Sequence, residues 1–333
     1  MADTTETTLR RTRRIGVYGV CRDAGGRVLL ARGSARSAFP GWWSLPGGGL
    51  DQGEAPADGV MREFREETGL AVGVGQLMAA LADVCRLPGA LEHADRLVYE
   101  VTVTGGALTD EPDGTTDRAA WFAPDELADL PMLPFTADVI GAGVAGPPGA
   151  WPSSAELAAE PGAAEPGPRA AGSAATPHAV PPVARGQRFG AYGLVTDPAG
   201  RILLTLIAPG YPGAGRWHLP GGGTDHGERP EVGLLRELHE EAGQLGRVTG
   251  LLAAAHRHDP AAVGPEGHPI DWHVVRVLFR VVVDVPTEPV VTEAAGGSTR
   301  DARWFTADEL AETPLTDAAH WAVPWWHAGS SVQ

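Results

Sequence analysis

Glu63, Glu66 and Glu67 lie three and four residues apart in the run Arg62-Glu63-Phe64-Arg65-Glu66-Glu67. On a helix that spacing crowds the three carboxylates onto one side. Unpaired they repel; a hard divalent cation relieves the repulsion, and oxygen-only donors suit Mg²⁺ or Mn²⁺. Upstream, Gly47-Gly48-Gly49 carries no Cβ, so backbone carbonyls and a phosphate can approach closely. Arg62 can pair with Glu54 across the loop–helix junction and hold the loop in place. Taken singly, a charge run on a helix is a solvated face and three glycines are a loop. The conjunction recurs, however. Gly221 to Gly223, Glu228, Arg236, Glu237, Glu240 and Glu241 repeat it at the same spacing.

The elements that must position these groups are legible around them. Val17 to Val20 and Arg27 to Ala31 form a hairpin around Asp23-Ala24-Gly25-Gly26. Pro56 to Thr68 reads as a helix, with proline in its first turn and Gly69 at its stop. Leu97 to Val103 and Val274 to Val283 alternate like strands, and Asp125 to Leu130 and Asp308 to Glu312 suggest short closing helices. Strands and helices mix without strict βαβ alternation, so the expected class is α+β, as an α/β/α sandwich.

The chain is one unit written twice. Ile15 to Leu70 aligns without a gap on Phe189 to Gln244, and nearly half the positions are identical. Later the register slips, and Trp121-Phe122-Ala123-Pro124-Asp125-Glu126-Leu127 answers Trp304-Phe305-Thr306-Ala307-Asp308-Glu309-Leu310. At 333 residues the chain suits two domains, expected at 12–140 and 185–328. Residues 141–184 are almost entirely Ala, Pro, Gly and Ser and read as a flexible linker, with a short helical patch at Ser154 to Glu160.

Composition removes other chemistries. Acidic residues number 42 against 26 basic ones, for a net charge of −16, which argues against a nucleic-acid polymer as partner. A small nucleotide held through a metal stays open. Every basic residue is arginine, so Schiff-base, pyridoxal-phosphate and P-loop lysine chemistry cannot occur. Cys21 and Cys85 stand alone and read as small buried hydrophobes in a reducing compartment. No apolar run is long enough to span a membrane, and the expected location is cytoplasmic. His256, His258, Asp259, His268 and His273 read as a wet substrate-side loop rather than a zinc site.

The run Gly48, Glu54, Arg62-Glu63-Phe64-Arg65-Glu66-Glu67-Thr68-Gly69-Leu70 fits G-x(5)-E-x(7)-R-E-U-x-E-E-x-G-U at every fixed position, U being bulky and apolar. It resembles the Nudix box. The second copy, from Gly222 to Gln244, departs only at the last position, where Gln244 replaces an aliphatic residue, a change expected to touch packing below the helix. The chain thus resembles a tandem, MutT-like Nudix hydrolase, an enzyme that splits a diphosphate linked to another moiety, such as a nucleoside triphosphate or an ADP-ribose-like compound. The resemblance implies that Glu63, Glu66, Glu67 and the carbonyl of Gly47 ligate metal, as do Glu237, Glu240, Glu241 and Gly221. It further implies a structural role for Gly48, Arg62, Gly222 and Arg236. The base is expected to be Glu63 or Glu54, and Glu237 or Glu228.

Substrate groups are expected outside the box. Asp117 and Asp301 are candidates for a further acid, and Trp43 and Trp217 could stack on a base or sit in the core. Two rivals remain: a nucleotide-sensing protein without turnover, and one catalytic copy beside a regulatory one. A further expectation is that the copies pack as an intramolecular pseudo-dimer.

Overall fold

The computed structural model describes residues 9–111, 113–142, 147, 150–152, 183–264, 267–292 and 297–329. The described residues of 1–187 and 256–274 form one compact unit, and those of 188–255 and 275–333 the other. The helical patch expected at Ser154 to Glu160 lies outside the described residues. No described helix is long and apolar enough to cross a membrane.

The N-terminal repeat runs β1 (Arg10–Cys21), β2 (Val28–Gly33), β3 (Trp43–Ser44), β4 (Gly47–Gly49), α1 (Pro56–Thr68), β5 (Leu70–Leu87), β6 (Ala90–Gly106), β7 (Thr116–Phe122), a 3-10 turn (Pro124–Asp129) and α2 (Pro134–Ile140). One sheet has the order β4-β1-β6-β5 and a second the order β3-β2-β7. β1 and β6 are parallel, with Gly16 beside Arg96 and Tyr18 beside Val98, while β4 is antiparallel to β1.

Alternation along β1 decides what each face meets. Val17 and Gly19 face α1, where Val60 and Phe64 are fully buried. A Cβ at Gly19 would come within 2.5 Å of the Phe64 ring, so the bare backbone admits the helix. Tyr18 and Val20 face the other way, into a core with Val98, Trp43, Met132 and Phe135 of α2. α1 ends at Gly69, whose φ of 70° and bond to the Arg65 carbonyl make a left-handed cap.

The second repeat follows as β8 (Ala184–Thr196), β9 (Ile202–Ile207), β10 (Trp217–His218), β11 (Gly221–Gly223), α3 (Pro230–Ala242), β12 (Arg247–Val263), β13 (Pro269–Val282), β14 (Thr299–Phe305), α4 (Ala307–Leu310) and α5 (Asp317–Gly329). Its sheet has the order β10-β9-β8-β13-β12, with β11 on β8 and β14 on β9. Mixed sheets and flanking helices give the α+β character read from the sequence.

Three sequence readings change. The closing helices at Asp125 and Asp308 are short, and each is followed by another, α2 and α5, that the sequence left unread. Pro324 inside α5 and its apolar composition, with three tryptophans, hide the usual helical alternation. β5, β6, β12 and β13 extend well past the alternating stretches, because β5 ladders along β6 and β12 along β13, and backbone pairing needs no alternation of side chains. β8 starts at Ala184, the last residue assigned to the linker.

Candidate active site

The glycine strand of the first repeat is built around one buried acid. Glu67 is 7% exposed. Its Oε2 accepts from the backbone N–H of Gly47 at 2.8 Å and its Oε1 from the hydroxyl of Thr116. Burial pushes its pKa up to about 8; Thr116 and Gly47 pull it back in part, and Glu63 and Glu111 push it further up. Gly47 must be glycine. Its φ is 140°, and a Cβ there would lie 2.2 Å from the Val17 carbonyl oxygen.

Glu63 stands beside Gly48, where a Cβ would approach its carboxylate to 2.7 Å. Burial also raises the pKa of Glu63, against the pull of Arg62. Arg62 joins the remaining acids. Its Nε and Nη2 donate to Glu54 at 2.8 and 2.9 Å, its Nη1 to Glu63 at 2.8 Å and Glu66 at 3.1 Å, and its Nη2 to the Gly49 carbonyl at 2.9 Å. Glu54 also accepts from the Asp51 N–H, and the Arg62 guanidinium holds its pKa low. The pairing of Arg62 with Glu54 expected from sequence is therefore bidentate, and it extends to the glycine strand itself.

The second repeat reproduces the arrangement. Glu241 is 4% exposed, accepts from the Gly221 N–H at 2.9 Å and takes the hydroxyl of Thr299. Arg236 reaches Glu228 at 3.0 and 3.1 Å, Glu240 at 3.0 Å, Glu237 at 3.2 Å and the Gly223 carbonyl at 3.2 Å. Gln244 does not disturb Glu241. It is buried, its amide nitrogen donates to Thr287 Oγ1 at 2.9 Å, and its Oε1 accepts from Thr287 N–H at 3.1 Å.

Among the described residues no three His, Cys, Asp or Glu side chains are gathered as a ready-made cation site. The guanidinium of Arg62 or Arg236 instead gathers the acids of its helix. The donor set still fits a hard divalent ion: carboxylates at α1 flank a Cβ-free strand, and burial burdens two of them, Glu63 and Glu67, with a charge that a cation would relieve.

Other sequence candidates fall in different places. Asp117 pairs with Arg32 at 2.7 Å, and Asp301 accepts from the Ala302 N–H at 2.9 Å. The acid outside the box that acts on Glu67 is Glu111, which also accepts from the Thr116 N–H at 3.1 Å. Glu111 lies in the loop before β7 and carries no spacing signal, whereas Thr116 and Thr299 open β7 and β14, each five residues before the repeated tryptophan, Trp121 or Trp304. Trp43 is buried with its ring edge-on to Phe122 at 4.7 Å, and Trp217 makes the same contact with Phe305 while half-buried. His256, His258 and His273 belong to β12 and β13, not to a wet loop. His273 is fully buried in the first compact unit, where its Nδ1 accepts from the Gly53 N–H at 3.1 Å. Cys21 and Cys85 are buried thiols, both raised to about 11 by burial.

Comparison with known proteins agrees with the geometry. The model of the NUDIX domain matches residues 11–141 and again 186–326. A MutT-like protein of Streptomyces ambofaciens is 33% identical over 129 residues, covering 39% of this chain and 76% of that protein. An ADP-ribose pyrophosphatase of Methanocaldococcus jannaschii is 31% identical over 121 residues, covering 36% and 66%. An uncharacterized Nudix hydrolase of Bacillus subtilis is 29% identical over 116 residues, covering 32% of this chain and 65% of that protein. Among solved structures, a MutT Nudix hydrolase from Burkholderia pseudomallei is 25% identical, with 40% of this chain and 99% of that one covered and a TM-score of 0.33. With a family match in each half and a buried glutamate at each glycine strand, the chain belongs to the Nudix hydrolase family, twice over.

Proposed function

We propose that each half hydrolyses a nucleoside diphosphate linked to another moiety, a nucleoside triphosphate or an ADP-ribose-like pyrophosphate, in a divalent-metal-dependent reaction in which water attacks phosphorus. The observation that carries this reading is the buried Glu67 on the Gly47 N–H, repeated as Glu241 on Gly221. Glu63, Glu66, Glu67 and the Gly47 carbonyl would hold the ion in the first half, and Glu237, Glu240, Glu241 and the Gly221 carbonyl in the second. When bound, Mg²⁺ or Mn²⁺ supplies polarisation of the phosphoryl oxygens and a water acidic enough to lose its proton near neutral pH.

The chain's own groups divide the remaining work. Glu63 is the better proton acceptor in the first half, because burial raises its pKa while Arg62 holds that of Glu54 low. Glu54 then serves mainly to fix Arg62, and through it the Gly49 carbonyl. Glu237 and Glu228 take the same parts in the second half. The glycine strands carry no Cβ, so phosphate oxygens can approach at backbone level.

A product assay tests this reading. The full chain is incubated with Mg²⁺ or Mn²⁺ and a panel of unmodified and oxidised nucleoside triphosphates, ADP-ribose, NADH, dinucleoside polyphosphates and sugar nucleotides. Metal-dependent release of a nucleoside monophosphate or diphosphate from one of them is expected. Stoichiometric nucleotide binding with no turnover of any member would replace hydrolysis by nucleotide sensing.

A further inference from the structure

Away from the carboxylates, the two halves part company at one pair of arginines. Arg96 and Arg276 open equivalent runs, Arg96-Leu97-Val98-Tyr99 and Arg276-Val277-Leu278-Phe279. Each guanidinium lies against the equivalent tyrosine, 6.0 Å from the Tyr18 ring and 5.8 Å from the Tyr192 ring. Tyr18 and Tyr192 are the register partners of Gly47 and Gly221, so both arginines sit beside a glycine strand, on the sheet face turned away from the glutamate helix. In each half the Nε of this arginine is enclosed and has no hydrogen-bond partner. An enclosed donor without an acceptor is costly, and a bound ligand is one way to satisfy it.

The charge is answered differently. Arg96 is buried, forms an ion pair with Asp83, donates to the Ala94 carbonyl at 3.3 Å and lies 4.4 Å from the Phe135 ring. Arg276 is half-buried and has no acidic partner among the described residues. Its neighbours are the Tyr192 ring and His218, whose pKa is pushed down to about 4, first by burial and then by the charge of Arg276. His218 lies edge-on to Tyr192 at 5.1 Å, and its Nδ1 is 2.7 Å from Thr316 Oγ1. The first half has Ser44 and Leu133 at those two places. The half-buried Trp321 and Trp325 pack on the same core.

The second half thus holds a positive charge that no acidic side chain among the described residues neutralises, beside a neutral imidazole and aromatic rings. We infer that the second site selects substrates whose group beyond the diphosphate carries an oxygen acceptor or a negative charge, met by Arg276 and His218, whereas the first site, with Arg96 neutralised by Asp83, favours an uncharged group. A guanidinium without a protein partner gains most from an anionic or carbonyl oxygen, and one already paired gains little. The inference rests on the hydrolase reading only for its kinetic readout.

Matched substrates test it in the full chain. Glu67→Gln leaves the second site to work alone, and Glu241→Gln the first. UDP-glucuronate against UDP-glucose replaces a hydroxymethyl group by a carboxylate, and dITP against dATP replaces a 6-amino group by a carbonyl. With Glu67→Gln, one member bearing the extra oxygen acceptor is expected to be preferred by at least about tenfold. Which pair shows the preference identifies the group as carboxylate or carbonyl. Adding Arg276→Gln should bring the ratio to about one, Arg276→Lys should restore part of it, and His218→Ser should weaken it. With Glu241→Gln no such preference is expected. Tryptophan-fluorescence titrations of the Glu67→Gln/Glu241→Gln protein, with and without Arg276→Gln, read the same discrimination as affinity. Discrimination in binding without turnover by any form would sink the hydrolase reading and keep this one. Equal preferences in the two single-site proteins, or a preference that survives Arg276→Gln in folded protein, would overturn it.

Discussion

The hydroxyl of Thr116 donates to Oε1 of Glu67, opposite the Gly47 N–H that reaches Oε2, so the buried acid is gripped from both sides. Both bonds favour the ionised form against burial, which disfavours it. Thr116→Val removes one grip while keeping the shape. The pKa of Glu67 should rise above about 8, and the acid limb of the first site's pH–rate profile, measured in the Glu241→Gln background, should move to higher pH. Thr116→Ser should restore the limb. A profile unchanged by Thr116→Val would remove Thr116 from the site.

Glu67 also ties stability to pH. Its folded pKa lies near 8 against 4.5 unfolded, so between those values the folded state holds the extra proton and stability falls as pH rises. In EDTA the melting temperature of the first half should drop from pH 5 to pH 8, and Glu67→Gln should flatten the drop. Saturating Mg²⁺ should stabilise more at pH 8 than at pH 5, because the cation competes with that proton. Calorimetry over this range checks both slopes.

Gly47→Ala places a methyl 2.2 Å from the Val17 carbonyl oxygen at a φ that L-residues avoid. A loss of about 1–3 kcal/mol or more is expected in chemical denaturation. Gly26→Ala is the useful contrast, since it shares a positive φ of 79° but meets nothing within 4 Å, and it should cost less.

Arg62→Lys keeps the charge but loses the fork that grips Glu54 through two nitrogens. Turnover at the first site should fall by about 10-fold or more, since misplaced groups of this kind lose orientation. Circular dichroism should stay that of the parent protein. Arg236→Lys should do the same to the second site alone.

What the sequence revealed follows from how local each feature is. The helix from Pro56 to Thr68 was legible to the residue, because Pro56 and the Val60–Phe64 stripe lie within it and Gly69 follows it directly. The link from Arg62 to Glu54 was legible too, since loop and helix adjoin. Thr116 and Glu111 reach Glu67 across a gap of more than forty residues with no periodic signal, and so were missed. The Arg276–Tyr192–His218 group joins three separate strands, and only the parallel pairing seen in the first half between β1 and β6 hints that such a pair can meet. Trp43 kept two readings in the sequence because its type suits both a core and a stacking face; the ring of Phe122 shows which neighbour it has.

The most direct measurement compares turnover of the best panel substrate by four full-length proteins: the parent, Glu67→Gln, Glu241→Gln and the double variant, all with saturating Mg²⁺. Each single variant should keep the activity of its intact half, and the double should fall at least about 100-fold below the parent. A double variant as active as the parent would show that neither buried glutamate serves the reaction.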